Sequence, residues 1–302
     1  MKEVLVITGA NGSVAKVLYE KLKNDFIIRF LTRVKKHENE YLWDVKNQTI
    51  EDRVFENVSH IIHLAGANIS DGRWTKERKD EIISSRIDSA KLILNTLQRR
   101  NKKIKSFISA SAVGIYGAQT TDKIFAETDN KGNDFLSEVV SLWEKAADEF
   151  AEKGIAQRVV KIRTGIVLSE KDGALAKMVQ PIKMGIGSPI GTGKQYMPWI
   201  HIDDICAIYE FALKNKQLHG AYNSAASEEI QNKMFTKKIA TILKKPLFLP
   251  NIPGFVMKLL FGELAVVLLE GSRVTNKKLL EEGFVFKYPN LDDALKNLLL
   301  PK

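Results

Sequence analysis

The stretch from Val4 to Leu18, VLVITGANGSVAKVL, constrains this chain more than any other. Val4, Leu5, Val6 and Ile7 form an apolar run that stops at Thr8-Gly9, as an inner strand of a parallel sheet does when both its faces are buried. A turn holding Gly9, Asn11 and Gly12 follows, and a helix opens near Ser13 and Val14. The glycines let the chain turn tightly and bring bare backbone close to a ligand, while the N–H groups of the helix start favour an anion. The spacing is G-x-x-G-x-x-A, with Ala15 where a third glycine would bring helix and strand closest. Alone, the pattern fits a phosphate-binding turn and an ordinary strand-to-helix turn equally well.

Strand and helix periods alternate downstream. Phe26–Leu31 (FIIRFL) reads as a second strand ending in Thr32-Arg33, and His60–Leu64 as a third ending in Ala65-Gly66. A long helix is expected from about Lys76 to Arg100, with Ile82, Ile83, Ile87, Leu92, Leu94 and Leu97 on its apolar face. Phe107–Ser109 opens a strand, Trp143–Ala151 lies in a helix, and Val159–Ile162 is a strand that RTGIVL continues. This order predicts βαβ units and an α/β fold, a Rossmann doubly wound parallel sheet with a smaller C-terminal substrate-side lobe. Residues 1–165 are expected to form the dinucleotide-binding half, its sheet completed by 199–225. The lobe takes 166–302 and includes a small helical domain from about 246. The glycine- and proline-rich run 185–198 is expected to be irregular.

Composition narrows the partners. The chain has 302 residues, a formal charge of +10 and a single cysteine, Cys206. No internal disulfide is available, and a reducing, cytoplasmic setting is expected. The apolar stretch PGFVMKLLFGELAVVLLEG is interrupted by Lys258 and Glu263 and reads as amphipathic packing helices, so no membrane partner is expected. Lysine reads as scattered through every segment, and the densest cluster, Arg99–Lys105, lies where a helix should end. No nucleic-acid partner is expected, since neither a reading helix nor an aromatic RNA platform is visible. His37, His60, His63 and Cys206 lack ligand spacing, so no metal site is expected.

Arg33 is the most informative residue after the glycines. In a dinucleotide fold the end of the second strand meets the adenosine ribose. An acid there accepts from the 2′-hydroxyl of NAD, whereas an arginine pairs with the 2′-phosphate of NADP. Thr32-Arg33 contains no acid, so NADP(H) is the expected cofactor. The competing reading is an ordinary surface arginine.

TGANGSVA, HLAG at 63–66, SASAVGIYG at 109–117, RTGIVL at 163–168 and YNSAAS at 222–227 occur in the order seen in extended short-chain dehydrogenase/reductases. SRIDSAKLIL, GSPIGTGKQYMPWIHIDD and LLEGSRVTNKKLLEEGFVF resemble one atypical branch, labelled sugar-nucleotide epimerase-like, of the NAD-dependent epimerase/dehydratase family. That branch carries a small C-terminal domain of unknown function. The resemblance implies NADP(H) bound by Gly9, Asn11, Gly12, Ser13 and Val14, with Thr32 and Arg33 at the 2′-phosphate. It further implies Leu64, Ala65 and Gly66 beside the adenosine or ribose, with Glu81 and Arg86 reaching the cofactor from the long helix.

The expected chemistry is less complete. The superfamily places a Ser or Thr with a Y-x-x-x-K pair, whose lysine lowers the tyrosine pKa for proton exchange while hydride moves. Ser111 matches the hydroxyl, but anchoring on Glu144 puts Leu136 and Val140 at the Tyr and Lys places. Tyr116 is a candidate substitute acid, or a structural residue. Lys177, Gln195, Trp199 and His201 are candidates for substrate contact, each with a structural alternative; Asp203 reads as a helix cap. The function expected is an NADP(H)-binding oxidoreductase or epimerase acting by hydride transfer on a small polar, nucleotide-sugar-like substrate. The alternative is a silent NADPH-binding regulator without the Tyr/Lys pair. A homodimer is compatible with the sequence, which does not fix the oligomeric state.

Overall fold

In the computed structural model, which describes residues 2–170 and 172–300, the opening stretch forms β1 (Glu3–Thr8) and α1 (Ser13–Leu22). There follow β2 (Phe26–Thr32), β3 (Glu40–Asp44), β4 (Thr49–Ile50), β5 (Val58–His63), α2 (Lys76–Arg99) and β6 (Ile104–Ala112). After β7 (Ile124–Phe125) come α3 (Phe135–Glu152), β8 (Ala156–Thr164), β9 (Ile166–Leu168) and α4 (Gly173–Lys183). The rest is β10 (Trp199–His201), α5 (Ile202–Lys214), β11 (Gly220–Ser224), α6 (Asn232–Ile242), α7 (Gly254–Phe261), α8 (Ala265–Leu269), β12 (Arg273–Val274), α9 (Lys277–Glu281) and α10 (Leu291–Leu299).

The eight-stranded main sheet runs β11-β8-β6-β5-β1-β2-β3-β4, parallel except for the antiparallel pairing of β3 with β4 at one edge. The chain builds outward from β1 through β2 and β3, then returns to lay β5 on the other side of β1. Such a reversal opens a crevice at the carboxyl ends of the two central strands. Alternation along β1 sends Leu5 and Ile7 to one face, with Leu18 and Leu22 of α1 and Ile205 and Ile208 of α5. Val6 faces the other way, toward Ile93 and Leu97 of α2 and Phe150 of α3. Both faces are therefore covered, which explains the unbroken apolar run of the strand.

Several expectations change. The hairpin β3–β4 and helix α4 were not foreseen: β3 and β4 are short, and α4 contains Pro181, which breaks the helical pattern on paper. Of RTGIVL, Arg163 and Thr164 continue β8 in the main sheet, but Gly165–Leu168 do not. The chain leaves it at Gly165, and β9 pairs with β10 in a separate two-stranded sheet. Only β11, from the expected 199–225 segment, extends the main sheet, along Val160–Thr164 of β8. The last helix, α10, sends Leu291 and Leu295 into the core shared by α1 and α5. Among the described residues no helix is long and apolar enough to cross a membrane.

Candidate functional site

The crevice is held open by a relay of buried side chains. Thr8 Oγ1, at the end of β1, accepts the N–H groups of both Leu64 and Ala65 at 3.0 Å. Its own proton is then free for His63 Nδ1, 3.0 Å away. That fixes His63 as the Nε2–H tautomer, donating to Ser89 Oγ of α2 at 3.1 Å, and the Ser89 hydroxyl in turn donates to the Ser85 carbonyl at 2.7 Å. Burial pushes the His63 imidazole down to about 4, so it stays neutral. The relay locks the ends of β1 and β5 together.

The glycine turn sits on that base. Gly9 has φ +75° and approaches the β5 end so closely that a Cβ would stand 3.2 Å from the Leu64 carbonyl carbon. Gly12, which donates its N–H to the Gly9 carbonyl at 2.9 Å, is the N-cap of α1, and no side chain caps that helix start. The N–H groups of Ser13 and Val14 thus face the crevice mouth with the positive end of the helix behind them. Asn11 is exposed in the turn. At the end of β2, Thr32 turns inward, its hydroxyl 3.1 Å from the Val34 carbonyl, and shapes the bend that leaves Arg33 exposed.

Under Gly66 lies Arg86, only 8% exposed; a Cβ on Gly66 would meet its side chain at 3.1 Å. Its guanidinium stacks over Trp143 at 4.9 Å, and Nη1 donates to the Ile82 carbonyl at 2.9 Å. Nε is buried with no partner, and no carboxylate pairs with Arg86 among the described residues. Burial, with Arg78 nearby, pulls its pKa down to about 10, which leaves it charged at neutral pH. A buried cation with an unused donor is costly unless an acceptor joins it. Together with the bare turn at Gly9, this fits an anionic coenzyme in the crevice. Glu81, by contrast, points outward on α2 and pairs with Arg78 at 2.5 Å. Arg78 also donates to the Asn68 carbonyl, so this pair anchors the loop after Gly66.

Beside the crevice, at the end of β6, the expected reactive groups are internal. Ser111 donates to Glu144 Oε1 at 2.6 Å. Arg163 of β8 binds both oxygens of Glu144 and donates through Nη1 to Tyr116 Oη at 3.0 Å. Tyr116 is fully buried; its hydroxyl donates to Asn223 Oδ1 at 2.8 Å, and burial pushes its pKa up to about 12. This corrects the reading of Tyr116 as a substitute acid: it has no open face and binds its proton more tightly than a free phenol. Leu136 and Val140, the apolar residues at the places expected for Tyr and Lys, stand against Gly114, just after β6.

The proposed substrate contacts separate in the same way. Trp199 is fully buried with its indole N–H on the Glu228 carbonyl, so neither ring face is free for stacking. His201 caps α5, accepting the Asp203 N–H on Nδ1 at 3.0 Å, and lies against Tyr288 and Asn297. The cap is thus His201 rather than Asp203. Gln195 is buried, its amide donating to the Ile190 and Leu268 carbonyls at 3.0 and 2.9 Å, while Oε1 has no partner. Lys177 alone of the four is exposed, reaching Ser70 of the loop after β5 at 3.1 Å.

Residues 5–225 match the model of the NAD dependent epimerase/dehydratase family, and residues 252–298 match a domain of unknown function, DUF1731. The chain belongs to the NAD dependent epimerase/dehydratase family. It is 37% identical over 238 residues to the epimerase family protein YfhF of Bacillus subtilis, covering 79% of this chain and 77% of that one. It is 34% identical over 304 residues to the chloroplastic SDR39U1 homolog of Arabidopsis thaliana, covering 97% and 86%. The crystal structure of human epimerase family protein SDR39U1 (isoform 2) with NADPH is similar at a TM-score of 0.87 and 27% identity, covering 98% of each chain.

In this epimerase-family chain the first match ends one residue after β11, where the main sheet is complete, and the second spans α7 to α10. Sequence reasoning missed Thr8, Ser89 and the positioning role of His63. It also missed the clamp of Glu144 on Arg163, although RTGIVL contains the arginine and Glu144 served as the anchor. Each partner lies on a different element, and no spacing rule links them.

Proposed function

We propose that this epimerase-family chain binds NADPH, in preference to NADH, in the crevice between β1 and β5. Arg33 carries this reading: it stands exposed at the end of β2, in no ion pair among the described residues, with no carboxylate on Thr32 or itself to receive a 2′-hydroxyl. The relative solved with NADPH supports the same assignment. Gly9, Gly12 and the N–H groups of Ser13 and Val14 would hold the diphosphate, Arg33 the 2′-phosphate, and Leu64, Ala65 and Gly66 the adenosine side. Arg86 would add its unused donor from beneath Gly66. Thr8 and His63 keep the two strand ends in register for this task.

The reaction proposed is hydride transfer on a small polar substrate, as in an oxidoreductase or epimerase. When bound, the nicotinamide supplies or takes a hydride at a carbinol or carbonyl carbon. The chain's part is to place that carbon, exclude water and move the accompanying proton. Ser111 is the hydroxyl nearest the superfamily's place for holding the substrate oxygen, yet its proton is directed at Glu144. That bond favours a second reading, a coenzyme-holding regulatory protein with little or no turnover. Fluorescence titration with NADPH and NADH tests the first part; equal affinities would overturn it. Following NADPH absorbance over a panel of nucleotide-sugar and small carbonyl substrates separates the two readings: brisk oxidation of any one of them sinks the silent form.

A further inference from the structure

The net charge of this chain is not scattered. Residues 173–202 and 230–262 together hold nine lysines and no Asp or Glu, so they carry nearly all of the formal +10. Lys238 alone among the nine is in an ion pair among the described residues, with Glu228 and Asp292. The same two stretches hold most of the large apolar side chains left in solvent: Met184 is 73% exposed, Ile186 54%, Phe248 70%, Phe255 71%, Leu259 72% and Leu260 58%.

These side chains lie on adjoining segments. Ile190 and Ile252 form a parallel bridge, Ile252 N–H donates to the Pro189 carbonyl at 2.9 Å, and Ser188 Oγ donates to the Pro250 carbonyl at 2.5 Å. These contacts lay the segment that follows α4, with Met184 and Ile186, beside the segment that precedes α7, with Phe248. Helix α7 starts just beyond, with Phe255 and Leu259 one turn apart and Met257 its only buried residue. The apolar sequence of α7, expected to pack inward, is therefore mostly turned outward. Lys183 and Lys258 directly precede Met184 and Leu259, and Lys244 and Lys245 lie within four residues of Phe248; all four lysines are exposed.

We infer that this face is a docking surface for an anionic lipid bilayer, on which the chain lies without spanning it. Exposed Phe, Leu, Ile and Met beside lysine, on two stretches that hold no carboxylate, match the chemistry of interfacial association, and the nearest acid past α7, Glu263, is paired with Lys79. Lysine stems also snorkel, keeping the ammonium at the headgroups while the stem stays in the apolar layer. A second copy of the chain fits poorly, because a two-fold interface would set this uncompensated positive face against itself. A nucleic acid would use the lysines and leave the Leu and Met groups in water. Protein interfaces, for their part, are depleted in lysine.

The full chain, mixed with vesicles of phosphatidylcholine alone or with about one quarter phosphatidylglycerol, should co-sediment only with the anionic vesicles and be released by salt. Phe255→Ser with Leu259→Ser, and separately Lys244→Glu with Lys245→Glu, should each lower the bound fraction about tenfold. Unchanged thermal unfolding of these variants shows that the loss is not misfolding; if the serine pair fails to fold, Met184→Ser with Phe248→Ser takes its place. No binding to anionic vesicles overturns the inference. So does binding that the serine changes leave intact, which would point to a polyanion site. A dimer that the serine changes dissociate overturns it as well, in favour of a second copy.

Discussion

Arg163 grips Glu144 through two hydrogen bonds, Nε to Oε1 at 2.8 Å and Nη2 to Oε2 at 2.9 Å, with both side chains buried. Ser111 is tied to the carboxylate and Tyr116 to the guanidinium. A fixed ion pair thus ties the end of β6 to α3 and β8. Burial raises the Glu144 carboxyl, but the guanidinium outweighs that and holds it below its ordinary value.

Removing one partner should hurt far more than removing both. Glu144→Ala leaves a buried guanidinium unpaired and should cost about 3–5 kcal/mol, whereas Glu144→Met with Arg163→Met should recover much of it. Urea unfolding of the single and double variants gives the coupling; additive costs would show that the pair is not acting as a unit.

Tyr116→Phe should lower stability by about 1–3 kcal/mol, because it strands the Asn223 oxygen and one Arg163 donor, and it should leave NADPH affinity unchanged. Ser111→Ala should reduce any turnover that is found, again without changing NADPH affinity. Wild-type activity in that variant would remove Ser111 from the reaction.

Acid should act on His63. Its folded pKa of about 4 lies below the unfolded 6.5, so the unfolded chain takes up the proton earlier and stability falls as pH drops from 6.5 toward 4. The slope from this one group is about 1.4 kcal/mol per pH unit, near 3 kcal/mol in all. His60 and His201, also lowered by burial, act in the same direction. Glu144 joins only below its ordinary 4.5, where the unfolded carboxyl protonates before the folded one. His63→Gln should flatten the profile by one proton; an unchanged slope between pH 6.5 and 4 would refute the buried neutral assignment.

Arg33→Asp should erase or invert the coenzyme preference. Loss of charge-assisted bonds to a 2′-phosphate, plus repulsion from the new carboxylate, should weaken NADPH about 10- to 100-fold while NADH holds or gains. Parallel titrations of both coenzymes check it.

The fold was largely legible because local pattern and global architecture agree. The run Val4–Ile7 is apolar and buried on both faces, as an inner parallel strand requires, while Phe26–Leu31 carries Arg29 and an exposed Ile27, and His60–His63 places Ile61 and Ile62 between two buried histidines. The turn at Gly9 was legible too, since a positive φ and a near contact with Leu64 leave little alternative to glycine. The edge hairpin β3–β4 was not, since two short strands beside solvent carry little periodic signal.

The sequence by itself determined the strand order's central elements, the bare phosphate-sized turn and the absence of Tyr and Lys at Leu136 and Val140. Tertiary structure alone decided which polar groups are spent inside the molecule. Trp199, His201, Gln195 and Tyr116 carry the same functional groups as ligand contacts do, but each meets its partner inside the protein. It also left Arg86 buried without a carboxylate and α7 turned to solvent. Hydrogen-bond partners drawn from distant segments are fixed by packing, and packing has no period along the chain.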